Sequence, residues 1–220
     1  MDRLRGGLPR KNRRRYVNNS VSAEERRIFL SGIGTDVGKT LTAAYLCHQW
    51  GATYWKPIQA GLPRDTETVT ALAGLPPGRV LPEVHVLQTP CSPHEAAARD
   101  GVRLSVADIV RARTLPAGPL VVEGAGGLLV PLNERETIAD LAAGFGLPVV
   151  LVWRYYLGSI NHTLLTIEAA LRRGLPLAGL VLNGEENPYS TEAVLSRYPD
   201  LPVLARIPAV ADVSSLFQAR

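Results

Sequence analysis

The fold of this chain follows from one stretch, Ile-Phe-Leu-Ser-Gly-Ile-Gly-Thr-Asp-Val-Gly-Lys-Thr, at residues 28–40. A short apolar run meets a glycine-rich turn, which ends in Gly38-Lys39-Thr40 and continues into a helical pattern. A phosphate-binding loop requires this order, because backbone N–H groups of the loop and of the helix N-terminus then converge on one point. The stretch therefore predicts a strand, a loop that binds a polyphosphate, and a helix.

The glycines of this loop are off register. The strict motif has four residues between its first glycine and Gly-Lys-Ser/Thr, which places that glycine where the chain has Ile33. Gly32 stands one residue early and Gly34 one residue late. We still expect Lys39 to reach the outer phosphates and the Thr40 hydroxyl to ligate Mg²⁺.

Composition indicates one soluble globular domain with a tail. The 220 residues are 46% hydrophobic, with a mean hydropathy of +0.05. The two cysteines, Cys47 and Cys91, provide neither a disulfide framework nor metal-ligand spacing, which is typical of a cytoplasmic protein. No apolar run approaches the ~20 residues that span a bilayer, so we expect no membrane association.

The net charge of +4 is concentrated in the N-terminal 27 residues. They hold nine Arg/Lys and three Asp/Glu, which leaves 15 basic and 17 acidic residues in the rest. We interpret residues 1–27 as a disordered basic arm and residues 28–220 as one domain. A transit peptide or a nucleic-acid-binding arm stays open, whereas a secretory signal is excluded because no apolar run follows the charges.

The remaining sequence alternates between apolar strands and helices. Strands are predicted at 28–30, 52–56, 119–123, 148–152, 177–183 and 203–207. Helices are predicted at 39–50, 65–73, 95–100, 105–113, 137–145, 158–173 and 190–198, with Asp65 and Ser105 as N-caps. Strands that are apolar throughout and alternate with helices predict a doubly wound α/β domain, with a mostly parallel sheet covered on both faces. The proline-studded segment 76–93 is predicted to be mostly loop.

Polar residues at the carboxyl ends of these strands are the candidates for chemistry, because ligands of such sheets bind there. Glu123 ends an apolar strand and fits a Mg²⁺ ligand supplied by a second strand. Asp65 is a further candidate metal ligand. Lys56, fixed by the following proline, would face an anion and stabilise charge on a transferred phosphoryl group. Asn183 also ends a strand. Asn161 falls in the first turn of a helix, where its side chain and free N–H groups could bind a carboxylate.

Taken together, the motifs resemble the dethiobiotin synthetase family over about residues 28–210. The matching segments are 32–40, Trp-Lys-Pro-Ile-Gln-x-Gly at 55–61, Ser-Pro-His at 92–94, Val-Glu-Gly-Ala-Gly-Gly at 122–127, Leu-Gly-Ser-Ile-Asn-His-Thr at 157–163, and Leu-Asn at 182–183. The resemblance implies a homodimeric P-loop NTPase-type ligase of biotin biosynthesis that uses Mg·ATP and CO₂ to close a ureido ring on 7,8-diaminononanoate. In that reaction a carbamate attacks the γ-phosphate, and the second amine then displaces phosphate.

The resemblance also implies roles for individual residues. Lys39, Lys56 and Thr35 would act in catalysis, and Thr40, Asp65 and Glu123 would hold the metal. The substrate site would be lined by Lys56, Ala60, Gly158 and Asn161. Of these, Gly158 and Asn161 would bind the substrate carboxylate across the dimer interface, so that each subunit completes the site of its partner. Asn183 would contact the adenine. The nucleotide-binding residues would be Gly34, Thr35, Asp36, Val37, Gly38, Lys39, Thr40 and Asn183.

Three positions depart from the family pattern. Ile33 and Gly34 stand where the family usually has Thr-Asp, and Ala60 stands where a hydroxyl side chain is usual. The alternative function is a partitioning-type ATPase switch that binds DNA or a protein partner. Such switches carry an additional lysine near the first glycine, which this chain lacks, so nucleic-acid binding is not expected.

Overall fold

The computed structural model describes residues 26–184, 191–198 and 201–218. Residues 1–25 of the predicted N-terminal arm lie outside this part of the chain, as does Ser190, the first residue of a predicted helix. Among the described residues, no helix combines the length and the apolar character that crossing a membrane would require.

A seven-stranded sheet forms the centre of the fold, and all its paired strands run parallel. Its strand order is β4-β2-β6-β1-β7-β8-β9. The strands of this sheet are β1 Arg27–Gly32, β2 Thr53–Trp55, β4 Val80–Leu81, β6 Leu120–Gly127, β7 Val149–Arg154, β8 Leu177–Asn183 and β9 Val203–Ile207. From the central β1 the chain moves to one side of the sheet and later returns to build the other, which is the doubly wound topology predicted from sequence.

Six α-helices within the described residues connect the strands. They are α1 Lys39–Trp50, α2 Asp65–Ala73, α3 Pro93–Arg99, α4 Val106–Arg111, α5 Ile138–Phe145 and α6 Ser159–Arg172. The last predicted helix is a 3₁₀ helix at Thr191–Arg197, and a second 3₁₀ helix covers Val213–Phe217. Ser105 caps α4 as predicted, because its hydroxyl accepts a hydrogen bond from the Asp108 N–H at 3.3 Å.

The core lies along the central strands. The apolar residues of β7 from Val149 to Trp153 are fully buried, as the uniformly apolar sequence predicts for a parallel sheet covered on both faces. Phe145, at the end of α5, packs against Phe29 of β1 and against Trp55 of β2. These aromatic contacts fix α5 across the two strands whose carboxyl ends lead into the glycine-rich loop and into Lys56.

A small second sheet departs from the sequence prediction. Strand β3, Ile58–Ala60, pairs in parallel with β5, His85–Leu87, and the short β4 joins the main sheet. None of these three strands is predicted, although the rest of segment 76–92 is loop as expected. Strands of two or three residues between prolines are too short to show an alternating pattern, so sequence analysis misses them. The small sheet matters because the chain leaves β3 for α2 and Asp65.

Candidate functional site

The glycine-rich loop joins the end of β1 to the start of α1. Gly38 precedes the helix with φ 87°, and a Cβ there would lie 1.7 Å from Asn183 Nδ2, so glycine is required. Asp36 also has a positive φ, 56°, which aspartate tolerates better than most residues. Its carbonyl oxygen accepts a hydrogen bond from Arg154 Nη1 at 3.1 Å. The loop is therefore held in a fixed curve ahead of a helix N-terminus, the arrangement that binds phosphate.

Lys39 is the first residue of α1 and folds back along the loop. Its Nζ donates to the Gly34 carbonyl oxygen at 3.2 Å, and only 8% of the residue is exposed. Burial lowers the pKa of Lys39 below that of an ordinary lysine, although the negative charge of Glu123 opposes the change. A negative charge placed beside such a lysine raises its pKa again and favours the protonated form. The Lys39 ammonium is therefore suited to pair with an anion.

Glu123 lies at the centre of a buried polar cluster at the carboxyl end of β6. Its side chain is fully buried. Oε1 accepts from Lys56 Nζ at 3.0 Å and from Thr40 Oγ1 at 3.4 Å, while Oε2 accepts from the Tyr54 hydroxyl at 2.8 Å. Each of these contacts offsets part of the cost of burying a carboxylate. The strand-end acid predicted from the sequence thus faces the threonine of the phosphate loop.

Lys56 bridges two carboxylates. Its ammonium group forms ion pairs with Glu123 and with Asp65, and the lysine side chain is 5% exposed. Burial alone would lower the pKa of Lys56, but the charges of Glu123 and Asp65 raise it above the ordinary lysine value. Lys56 is therefore a protonated cation at neutral pH. The space between the two carboxylates accepts positive charge.

The donor set at this point fits Mg²⁺. Thr40 offers a hydroxyl oxygen, and Asp65 and Glu123 offer carboxylate oxygens, which are the ligands that a hard cation prefers. The described residues contain no group of three or more His, Cys, Asp or Glu side chains that could hold a metal. Mg²⁺ is usually held by one or two carboxylates together with water and substrate phosphates.

Asp65 does not cap α2, so that prediction was wrong. The N-cap is Arg64, and Asp65 is the first helical residue. The Asp65 N–H donates instead to Gln59 Oε1 at 3.2 Å, and Gln59 Nε2 donates to the Gly61 carbonyl at 2.9 Å. Because Gln59 satisfies the helix terminus, the Asp65 carboxylate is available for Lys56.

The other predicted residues lie on the glycine-rich loop, at the end of β3, at the start of α6 and at the end of β8. Thr35 and Asp36 are exposed on the loop, and Ala60 is half-buried at the end of β3. Gly158 and Asn161 are exposed at the start of α6. Asn183 is buried, and its Nδ2 donates to the Val37 carbonyl at 2.9 Å. Asn183 thus contacts the loop backbone, and its contact with adenine stays a prediction.

Sequence analysis missed three residues that position the site: Tyr54, Gln59 and Arg154. Tyr54 had a usable signal, because residues i and i+2 of an extended segment point the same way and Tyr54 stands two residues before Lys56. Both side chains bind Glu123. Gln59 binds backbone groups of Gly61 and Asp65 in the turn that leads into α2, and Arg154 binds a backbone carbonyl 118 residues away; no hydrophobic pattern marks either contact.

The chain is similar to known proteins over most of its length. A family model described as "AAA domain" matches residues 26–216. The ATP-dependent dethiobiotin synthetase BioD of Paramagnetospirillum magneticum is 43% identical over 190 residues, which cover 86% of this chain and 91% of the relative. The protein of the same name from Rhodopseudomonas palustris is 47% identical over 192 residues, covering 86% and 88%.

Among solved structures, a ParA family ATPase from Chlorobium tepidum superposes with a TM-score of 0.52. The match covers 86% of this chain and 88% of that one, at 12% sequence identity. At this identity the likeness concerns the fold alone, which is a parallel sheet connected by helices.

Proposed function

The chain belongs to the family of ATP-dependent dethiobiotin synthetases, and we propose on that premise that it closes the ureido ring of dethiobiotin from 7,8-diaminononanoate and CO₂ at the expense of ATP. It is an ATP-dependent ligase of biotin biosynthesis. The observation that carries the assignment of its site is the Lys56 ammonium between Asp65 and Glu123, beside Thr40 of the phosphate loop. The partitioning-type switch is not retained, because likeness to ParA is limited to the fold.

The phosphate loop holds the triphosphate of ATP. Backbone N–H groups of residues 34–40 and the start of α1 surround the phosphates, and Lys39 moves its ammonium from the Gly34 carbonyl to a phosphoryl oxygen. Thr35 and Asp36 lie on the exposed side of the loop, where the reacting end of the nucleotide enters. Asn183 fixes the loop from β8, and we propose that it also contacts the adenine.

Thr40, Asp65 and Glu123 would hold Mg²⁺. When bound, the metal supplies positive charge to the β- and γ-phosphate oxygens. Tyr54 and Gln59 orient the two carboxylates for this task, because Tyr54 donates to Glu123 and Gln59 holds the first residue of α2. Outer partners of this kind restrict the ligands to one geometry.

Lys56 stabilises the transferring group. One amine of the substrate takes up CO₂ to give a carbamate, whose oxygen attacks the γ-phosphate and releases ADP. The second amine then attacks the carbonyl carbon of the mixed anhydride, loses its proton, and displaces phosphate as the ring closes. With its raised pKa, Lys56 keeps its charge throughout and interacts with the carbamate and phosphoryl oxygens.

The substrate carboxylate lies at the start of α6 of a partner subunit. Gly158 and Asn161 are exposed there, and the helix N-terminus offers free N–H groups to an anion. Leu157, Ile160 and Leu165 are exposed apolar residues on the same segment. A homodimer would cover this apolar surface and bring each helix start to the other subunit's loop. Ala60 offers no hydroxyl to the bound diamine.

One domain, residues 28–220, carries these functions, and the preceding basic arm takes no part in the chemistry. We place the enzyme in the cytoplasm, where ATP is available, and its two described cysteines are free thiols.

A single assay tests the proposal. Purified protein is incubated with Mg·ATP and bicarbonate, with and without 7,8-diaminononanoate, and ADP release and dethiobiotin formation are measured. We expect ADP release to require the diamine and to match the dethiobiotin formed. ADP release that is the same without the diamine would contradict the ligase assignment.

A further inference from the structure

The end of β7 and the two residues after it, 154–156, form a second wall of the glycine-rich loop. Arg154 donates to the Asp36 carbonyl, and Tyr156, two residues later, approaches Gly34. Tyr155 between them points elsewhere, because its hydroxyl donates to Glu192 at 2.6 Å. This alternation is the one expected of an extended segment. The side chains of Arg154 and Tyr156 therefore both face the loop, at Asp36 and at Gly34.

Gly34 and the Tyr156 hydroxyl lie next to each other. A Cβ built on Gly34 would lie 3.9 Å from that oxygen, with no closer heavy atom among the described residues. Gly34 also lacks a positive φ, so its backbone does not require glycine. The space in front of Gly34 is therefore open to a side chain, and Tyr156, two residues after the end of β7, brings a hydroxyl to its edge.

His162 holds this hydroxyl in place. Its Nδ1 lies 2.7 Å from the Tyr156 oxygen, and the two rings are 5.7 Å apart. When the histidine carries its proton on Nδ1, the ring donates to the tyrosine oxygen, and the hydroxyl proton is directed to another acceptor. Tyr156 is 42% exposed, so that acceptor can be a bound ligand.

We propose that the Tyr156 hydroxyl is a substrate-contacting group that donates a hydrogen bond to an anionic oxygen at the mouth of the phosphate loop, in place of a side chain at position 34. The oxygen belongs either to the terminal phosphate of the nucleotide or to the carbamate that attacks it. His162 is the positioning residue for the hydroxyl. The inference rests on the proposed function, because it assumes that these anions enter the loop.

The first test replaces Tyr156 by phenylalanine, which keeps the ring and removes the hydroxyl. A hydrogen bond to a charged group that is lost from the transition state lowers kcat/KM for the diamine by about tenfold or more. The affinity for Mg·ADP, measured by calorimetry, stays within about twofold of the wild type, since the loop backbone is intact. Tyr155→Phe is the matched control, because it removes a neighbouring hydroxyl that points away from the loop.

Two affinity measurements identify the group that accepts the hydrogen bond from the Tyr156 hydroxyl. If Tyr156→Phe weakens a non-hydrolysable ATP analogue but not ADP, the acceptor is the terminal phosphate. If both nucleotides bind as before while turnover falls, the acceptor is the carbamate. Unchanged binding together with unchanged turnover, or an equal loss in Tyr155→Phe, would overturn the proposal. If the wild type shows no diamine-dependent ADP release, the ligase assignment fails, and the analogue affinity alone then decides the role of Tyr156.

Two further variants separate a specific role from a structural one. Gly34→Ser places a hydroxyl on the loop itself. We therefore expect the double variant Gly34→Ser/Tyr156→Phe to turn over faster than Tyr156→Phe alone. His162→Ala should lower turnover in the wild type but add nothing to Tyr156→Phe, because its effect passes through the tyrosine. Additive losses in the double variant would contradict the positioning role of His162.

Discussion

Lys56→Met is the most informative perturbation of the buried cluster. It removes the ammonium group and keeps an unbranched side chain of similar length. Glu123 then keeps only hydroxyl partners in a site from which solvent is excluded. Removing one partner of a buried ion pair costs about 3–5 kcal/mol, because the other charge remains uncompensated. The contribution of Asp65 is small, since its side chain is 31% exposed and solvent screens it.

The assay is denaturant unfolding of wild type and variant with and without Mg²⁺. We expect a lower midpoint for the variant at an unchanged slope, which corresponds to the loss estimated above. Because the metal would bind the same two carboxylates, Mg²⁺ should stabilise Lys56→Met more than the wild type. The matched control is the double variant Lys56→Met/Glu123→Gln, which removes both charges and should recover much of the lost stability.

The pH dependence of this difference follows from the raised pKa of Lys56. A pKa above the unfolded value of 10.5 gives stability that is fully present below that pH and is lost as the pH rises through the folded pKa. The wild type and Lys56→Met should therefore differ by a constant amount between pH 6 and 9, and the difference should shrink only above about pH 10.5.

Two results would refute this reasoning. One is a Lys56→Met variant as stable as the wild type. The other is a double variant less stable than the single one. Turnover gives a separate check, because we expect Lys56→Met to reduce ligase turnover much more than ATP affinity. An equal loss of both would mean that Lys56 is a structural residue and not part of the reacting site.

Three further predictions concern Lys39, Gln59 and the N-terminal arm. Nucleotide binding should take up protons in alkaline buffer, because phosphate restores the lowered pKa of Lys39; calorimetry in buffers of different ionisation enthalpy measures this, and affinity should fall as the pH rises. Gln59→Leu should cost about 1–3 kcal/mol in denaturant unfolding and weaken Mg²⁺ dependence, because it releases Asp65; unchanged metal dependence would contradict this. Deleting residues 1–24 should leave steady-state ligase kinetics unchanged, and a loss of activity would assign the arm a role.

The main elements of the fold could be predicted from the sequence because their signals are local. The helix at 39–50 and the strands at 177–183 and 203–207 have the bounds expected from apolar patterns and glycine stops. The strands of the small sheet could not be predicted, because three residues between prolines are too few to show an alternating pattern. The 3₁₀ helix at 191–197 shows the same limit, since helical patterning does not distinguish it from an α-helix.

The chemical groups of the site were predictable, but their partners were not. Lys56 and Glu123 were identified because a charge at the end of an apolar strand requires a counter-charge. That each would be the other's partner depends on β2 and β6 lying side by side, which is a property of the sheet order. Asp65 is predicted as a metal ligand and as a helix cap because aspartate favours both roles, but the N-cap position of α2 is Arg64, and the Asp65 N–H donates to Gln59.

The hydrogen bond between Asn183 and Val37 has a consequence for biosynthesis of the chain. Its two ends are 146 residues apart, so the amide that braces the loop leaves the ribosome long after the loop itself. At about 5–20 residues per second, the delay is roughly 7–30 s. Arg154, which holds Asp36, is also made late. During this interval the nascent loop lacks both of these hydrogen bonds. The loop should adopt its final conformation, and with it nucleotide affinity, only after β7 and β8 have joined the sheet.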